Sequence, residues 1–230
     1  PLVLGIGSEN EYYLASDVPA FLEYTNKVVF LDDNEIVFIE GENYRIEDFI
    51  TGEPKKKIAS ILDWDLQQAK KGEYPHFMLK EINEQRVSIK KAIEQDTENF
   101  DICIEALKNA YGIFFVGCGT SYHACVSASY AFSHVAKKHV NVVLASEFRN
   151  YEDFLTDKTL MVAVSQSGET ADLLDAVKTA KAKGVKIMCI VNVMGSSLMR
   201  LADYTILMNA GPEICVLSTK SYTSQLALLM

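Results

Sequence analysis

Two short segments join glycine to clustered hydroxyl groups at spacings suited to holding an anion. In Ser165-Gln166-Ser167-Gly168-Glu169-Thr170, four uncharged hydrogen-bonding side chains (Ser165, Gln166, Ser167 and Thr170) surround a glycine. The segment follows an apolar run ending at Val164 and leads into a helical pattern, where free amides and the helix dipole favour negative charge. Hydroxyls in such a place suit phosphate oxygens without any basic side chain. The same residues could serve only as helix caps, although a cap needs a single such residue.

The second segment, Gly117-Cys118-Gly119-Thr120-Ser121, also stands between an apolar run and a helical pattern. It has two glycines of a dinucleotide fingerprint, but Tyr122 occupies the third position and no acidic residue ends the next strand. The lysine of a nucleotide-binding P-loop is missing too. A nicotinamide-dependent oxidoreductase is therefore disfavoured. What is left is a backbone open to close approach, followed by two hydroxyls at a helix start. A third polar cluster, Val216-Leu217-Ser218-Thr219-Lys220, also leads into a helical pattern. Lys220 could assist an anion as a point charge or simply sit on the surface.

The elements that must position these turns are legible in the apolar pattern. Continuous apolar runs at Ile113 to Val116, Val140 to Ala145, Thr159 to Val164, Lys186 to Val191 and Tyr204 to Met208 alternate with helical stretches. The latter cover Ser121 to Lys137, Ser146 to Tyr151, Ala171 to Lys183 and Ser196 to Leu201. Runs apolar on both faces that alternate with helices predict a doubly wound α/β domain with a parallel sheet. Ligands in such sheets bind at the carboxyl ends of the strands, where all three turns fall. Upstream, Phe77, Ile82, Val87, Ile89, Ile93, Phe100, Ile104 and Leu107 recur at helical intervals and predict helices leading into that domain.

The first 50 residues differ. Runs at Leu2 to Ile6, Tyr12 to Ala15, Lys27 to Leu31, Glu35 to Ile39 and Asn43 to Phe49 are separated by turns such as Asp32-Asp33-Asn34, a pattern of antiparallel hairpins. Gly52-Glu53-Pro54-Lys55-Lys56-Lys57 reads as the start of a solvated linker. The predicted organisation is thus residues 1–52, a linker over 53–76, and an α/β domain over 77–230.

Charge follows the same division. The 230 residues carry a net charge of -9, yet residues 1–54 alone hold 12 acidic and 2 basic side chains, a net of -10. An acidic segment of this kind repels nucleic acid. No run approaches the roughly 18 apolar residues of a membrane span, and no signal-peptide pattern is present. The five cysteines have no paired short spacing and read as the reduced thiols of a cytoplasmic protein. Cys118, His123 and Cys125 match no zinc module, so helix burial is preferred over a metal site. Both ends, Pro1 and Leu226 to Met230, look cut from a longer polypeptide.

Taken together, Gly117 to Tyr122, Ser146-Glu147-Phe148-Arg149, Ser165 to Asp172 and Ser218-Thr219-Lys220 resemble the first sugar isomerase (SIS) domain of the glutamine:fructose-6-phosphate aminotransferases, also called glucosamine-6-phosphate synthases. Tyr74 to Gln85 is similar to that family's segment before the domain, while Pro1 to Gly7 and Leu14 to Asp17 resemble the end of its glutaminase domain. Arg86, Pro212 and Cys215 depart from the usual pattern.

The resemblance implies a flavodoxin-like sheet preceded by the end of an N-terminal nucleophile hydrolase domain. It implies that Thr120, Ser121, Ser165, Gln166, Ser167 and Thr170 bind fructose 6-phosphate, with the second turn on the phosphate, and that Val216 and Ser218 line the sugar. Glucosamine 6-phosphate is the other expected sugar ligand, glutamine binds only in the complete protein, the assembly is a homodimer, and no cofactor or metal is involved. It places no catalytic residue in this chain: Glu169 is not the family's catalytic glutamate, and none of His76, His123, His134 and His139 matches its ring-opening histidine. The competing reading is a non-catalytic sugar-phosphate regulator with the same domain, disfavoured by the acidic, sheet-rich first segment.

Overall fold

The computed structural model describes residues 2–8, 10–16, 18–62 and 70–230. Pro1, Asp17 and positions 63–69 of the expected linker lie outside the described residues. The chain divides into two compact units, Pro1–Gly72 and Glu73–Met230.

In the first unit the β-branched and aromatic runs form the expected strands: β1 (Val3–Ile6), β2 (Tyr12–Ala15), β3 (Lys27–Phe30), β4 (Glu35–Glu40), β5 (Asn43–Asp48) and a short β6 (Ser60–Ile61). An antiparallel sheet runs in the order β2-β1-β3-β6, and β4 and β5 form a hairpin. That hairpin turns at Gly41, whose φ of +59° is open to glycine at little cost. Leu4, Val29, Leu31 and Ile46 form its buried apolar cluster.

Residues 53–61 correct the reading of a solvated linker. The amide of Lys55 donates to the Ile46 carbonyl at 2.8 Å, and β6 pairs with β3. The Lys57 ammonium is drawn in by Glu35 at 2.6 Å, Asp32 at 2.7 Å and the Phe30 carbonyl at 2.9 Å. Lys57 alone of the three lysines is drawn in this way; Lys55 and Lys56 are exposed, as a solvated run would be.

The second unit opens with helices α1 (Phe77–Ile93) and α2 (Thr97–Asn109). It continues as β7 (Gly112–Gly117), α3 (Gly119–Ala131), β8 (Asn141–Leu144), a 3-10 stretch (Ala145–Phe154), β9 (Thr159–Ser165), α4 (Ala171–Ala182), β10 (Lys186–Val191), α5 (Ser197–Leu201), β11 (Tyr204–Leu207) and α6 (Lys220–Leu229). All five strands are parallel, in the order β11-β10-β9-β7-β8. Alternate side chains feed two cores. Phe114, Val116, Met161, Ala163, Ile187 and Cys189 meet α4, α5 and the 3-10 stretch on one face. Ile113, Phe115, Leu160, Val162, Val164, Met188 and Ile190 meet α2, α3 and α6 on the other. A large side chain sealed this way contributes about 1.5–3 kcal/mol relative to exposure, which is why β9, buried at all seven positions, forms the centre of the sheet.

Helix α1 departs from expectation in its orientation. Ile82, Val87 and Ile93, which set its apolar period, are exposed, whereas Lys80, Glu81, Ser88 and Ala92 are buried. The cause is its neighbour: α6 presents Lys220, Ser221, Ser224, Gln225 and Leu229 as its buried side, so polar groups of the two helices meet.

Candidate functional site

In the strand order, β7 and β9 are neighbours while their successors, β8 and β10, lie to opposite sides. The turns after β7 and β9 therefore leave adjacent strand ends in diverging directions, opening the crevice in which doubly wound sheets bind ligands. Register pairs Gly117 with Val164, one residue before the second turn begins.

The second turn is held by its own side chains. Ser165 Oγ accepts from the Gly168 amide at 3.0 Å and lies 3.3 Å from Thr170 Oγ1, while Ser167 Oγ accepts from the Glu169 amide at 3.2 Å. Gly168 has φ +69°, and a Cβ there would lie 2.6 Å from Ser196 Cβ and 2.8 Å from Val191 Cγ2, so nothing larger fits. Its carbonyl accepts from Leu198 N, and Glu169 Oε1 accepts from Ser197 N at 2.6 Å, fastening the turn to α5. Glu169 is thus engaged at a helix start. Thr170 is the N-cap residue of α4, yet its side chain makes no capping bond. Capping alone does not account for this turn: Ser167 bonds ahead of the helix, and the first amides of α4 keep their donors.

In the first turn, a Cβ on Gly117 would meet the backbone of Ser121 and Tyr122 at 3.0 Å, so glycine lets the chain fold back tightly. Gly119 has φ +54° and open space beyond it. Thr120 is exposed and Ser121 buried, with Ser121 Oγ accepting from Gln225 Nε2 at 3.0 Å. Cys118 is half-buried; burial, then the nearby Asp172 carboxylate, raise its thiol above the ordinary range, which makes it a poor nucleophile. Cys125 lies in the core, its thiol pushed up to about 12 by burial, whereas His123 is exposed. Among the described residues no group of three or more His, Cys, Asp or Glu could hold a metal ion.

The third cluster is arranged differently. Val216 is 99% exposed, and Ser218 Oγ bonds to Ser221 Oγ at 2.6 Å. The loop's anchor comes from residues that the sequence reading did not single out for the site. Glu81 Oε1 accepts from the amides of Ile214 and Cys215 at 2.8 and 2.9 Å, and its Oε2 from Thr219 Oγ1 at 3.1 Å. Glu213 caps α6, accepting from the amides of Thr219 and Ser221 at 3.0 Å each. Lys220 is neither an anion ligand nor on the surface: it is buried and bonded to Glu84 at 2.7 Å. The available signal was the polar stripe Lys220, Ser221, Ser224 and Gln225, at helical spacing on a helix expected to be apolar.

A groove of about 760 Å³ lies at the other end of the sheet, lined by Glu98, Asp101, Glu105 and Asp157 against Lys158 and Lys186, so that its charged lining is acidic on balance. Its position at the amino ends of strands and its acidic lining suit an anion poorly.

The family model described as the SIS domain matches residues 106–230, more than half of the chain. The chain belongs to the SIS domain family. Its SIS domain holds both turns, and the similarity extends beyond it. A glutamine–fructose-6-phosphate aminotransferase (isomerizing) of Thermococcus kodakarensis is 51% identical over 230 residues, covering 100% of this chain and 38% of that relative. One from Pyrococcus horikoshii is 47% identical with the same coverage. The chain thus spans 38% of the length of these curated relatives. Among solved structures, the C-terminal domain of the Francisella tularensis glucosamine-fructose-6-phosphate aminotransferase matches with TM-score 0.63 and 37% identity, over 70% of this chain and 47% of that one. The α/β fold expected for this SIS domain and the resemblance to the aminotransferases both stand.

Proposed function

We propose that this chain is the sugar-phosphate-binding part of a glutamine:fructose-6-phosphate aminotransferase, the enzyme that forms glucosamine 6-phosphate and glutamate from fructose 6-phosphate and glutamine. The observation that carries this reading is the second turn: hydroxyls of Ser165, Ser167 and Thr170 beside the uncapped start of α4, at the divergence of β7 and β9. Ser165, Ser167, Thr170 and Gln166 hold the phosphate, with the first amides of α4 supplying donors and the helix dipole the field. Thr120 and Ser121 face the same crevice from the first turn, and Val216 and Ser218 close on the sugar.

Neither turn contains lysine or arginine, so the site reads phosphate by donor geometry rather than by counter-charge. The chain supplies the pocket; the proton shifts between C1 and C2 and the hydrolysis of glutamine require groups it does not carry. All four histidines are exposed, and Glu169 is spent on Ser197. The full protein is a cytoplasmic homodimer that does not bind nucleic acid. No helix among the described residues is long and apolar enough to cross a membrane.

Calorimetric titration with fructose 6-phosphate tests the pocket. Saturable binding is expected, weakened more than tenfold by the Ser167→Ala, Thr170→Ala pair, since each lost hydrogen bond to a charged group is worth about 1.5–3 kcal/mol. Absence of heat, or equal affinity in the double variant, refutes it; glucosamine 6-phosphate formed by the chain alone refutes the division of labour.

A further inference from the structure

Gln225 occupies a place that stability alone does not explain. It lies on α6 with no exposed surface, and its Nε2 donates to Ser121 Oγ on α3 at 3.0 Å, while its Oε1 has no hydrogen-bond partner among the described residues. A buried amide with half its capacity unmet is destabilising, and an apolar residue of the same length would fill the space without that cost. The one side-chain hydrogen bond that the amide makes among the described residues is the one to Ser121, and that is where its effect is sought. Ser121 Oγ makes no other hydrogen bond among the described residues, and a hydroxyl has one proton to give and two lone pairs to accept with. With one lone pair occupied by Gln225, the hydroxyl's own proton is left to be donated to another acceptor.

We propose that Gln225 is a positioning residue that fixes Ser121 as a hydrogen-bond donor to an oxygen of the bound sugar phosphate. The inference rests on the sugar-phosphate reading of the two turns and adds a residue from a helix that itself need not touch the ligand. It also assigns a task to α6: besides carrying the third cluster at its start, the helix reaches across α3 to set the polarity of the first turn.

A double-mutant cycle read by fructose 6-phosphate titration of the 230-residue chain separates this role from a structural one. Gln225→Met keeps length and removes the amide; it is expected to weaken binding by about fivefold, as is Ser121→Ala. The two changes combined are expected to cost no more than Ser121→Ala alone, because Gln225 acts only through that hydroxyl. If Gln225→Met fails to fold, Gln225→Glu serves in its place: its carboxylate takes the Ser121 proton, and the same loss is expected. Equal losses in the presence and absence of the Ser121 hydroxyl overturn the proposal, as does unchanged or tighter binding by the single Gln225 variant. Absence of binding by the unaltered chain instead overturns the reading of the pocket and the proposal with it.

Discussion

Replacing Gly168 by alanine tests whether the second turn is built as described. Two costs add. At φ +69° an L-residue with a side chain pays roughly 1–2 kcal/mol for the left-handed conformation. The new Cβ would also lie 2.6 Å from Ser196 Cβ, nearer still to Ser196 Oγ, and 2.8 Å from Val191 Cγ2. Ser196 and Val191 are both fully buried, so neither can swing away, and overpacking of this kind costs about 1–3 kcal/mol. The expected destabilisation is therefore about 2–5 kcal/mol. Gly119→Ala is the internal control, since its φ of +54° carries the same conformational cost with no atom within 4 Å, giving only about 1–2 kcal/mol. Native-state hydrogen exchange at the amides of β9 and β10 reads the local opening free energy without requiring the two units to unfold together. Equal effects of the two substitutions would refute the close approach of the turn to α5, and no effect of either would refute the left-handed geometry.

Three further outcomes follow from the same geometry. Lys220→Met is expected to destabilise the second unit by less than the roughly 3–5 kcal/mol of an orphaned buried charge, because partly buried Glu84 loses its 2.7 Å partner but keeps Lys80 at 3.2 Å, which a denaturant titration measures. Asp203 accepts from the Ile187 amide and Lys186; burial would raise its pKa, but these bonds and Lys181 outweigh it and hold it below the ordinary 3.8. A depressed carboxylate stabilises the fold above its unfolded value and loses that contribution as pH falls, so Asp203→Asn should lessen the drop in unfolding midpoint between pH 6 and pH 3. In a native thiol-labelling assay, Cys103, Cys125 and Cys189 should react only after unfolding, since burial both hides them and raises their thiols.

The strands were the most legible part of the sequence. Leu160 to Val164 and Ile187 to Val191 are apolar without interruption because both faces of a central parallel strand are covered, and their short length, bounded by turn residues, favours strands over buried helix. The turns after β7 and β9 could be placed because glycine and hydroxyl residues interrupt such runs abruptly. Helix α1 could not be read the same way. Periodicity identifies an apolar face but not which face a neighbour covers, and here α6 brings Lys220 to Glu84 while Ile82 and Val87 stay exposed. Lys220 was misread for a related reason: its partner Glu84 lies 136 positions away, and no local pattern links them. Glu81 and Gln225 were passed over as site residues because each acts on a segment distant in sequence, the 214–219 loop and Ser121 respectively.

A crystal structure of the chain with fructose 6-phosphate would show whether the phosphate sits on the second turn. Phosphate oxygens are expected within hydrogen-bond distance of the hydroxyls of Ser165, Ser167 and Thr170 and the first amides of α4, with the sugar directed toward Thr120 and Ser121. A phosphate found elsewhere on the chain, or a fully occupied sugar phosphate that leaves these hydroxyls untouched, would contradict it.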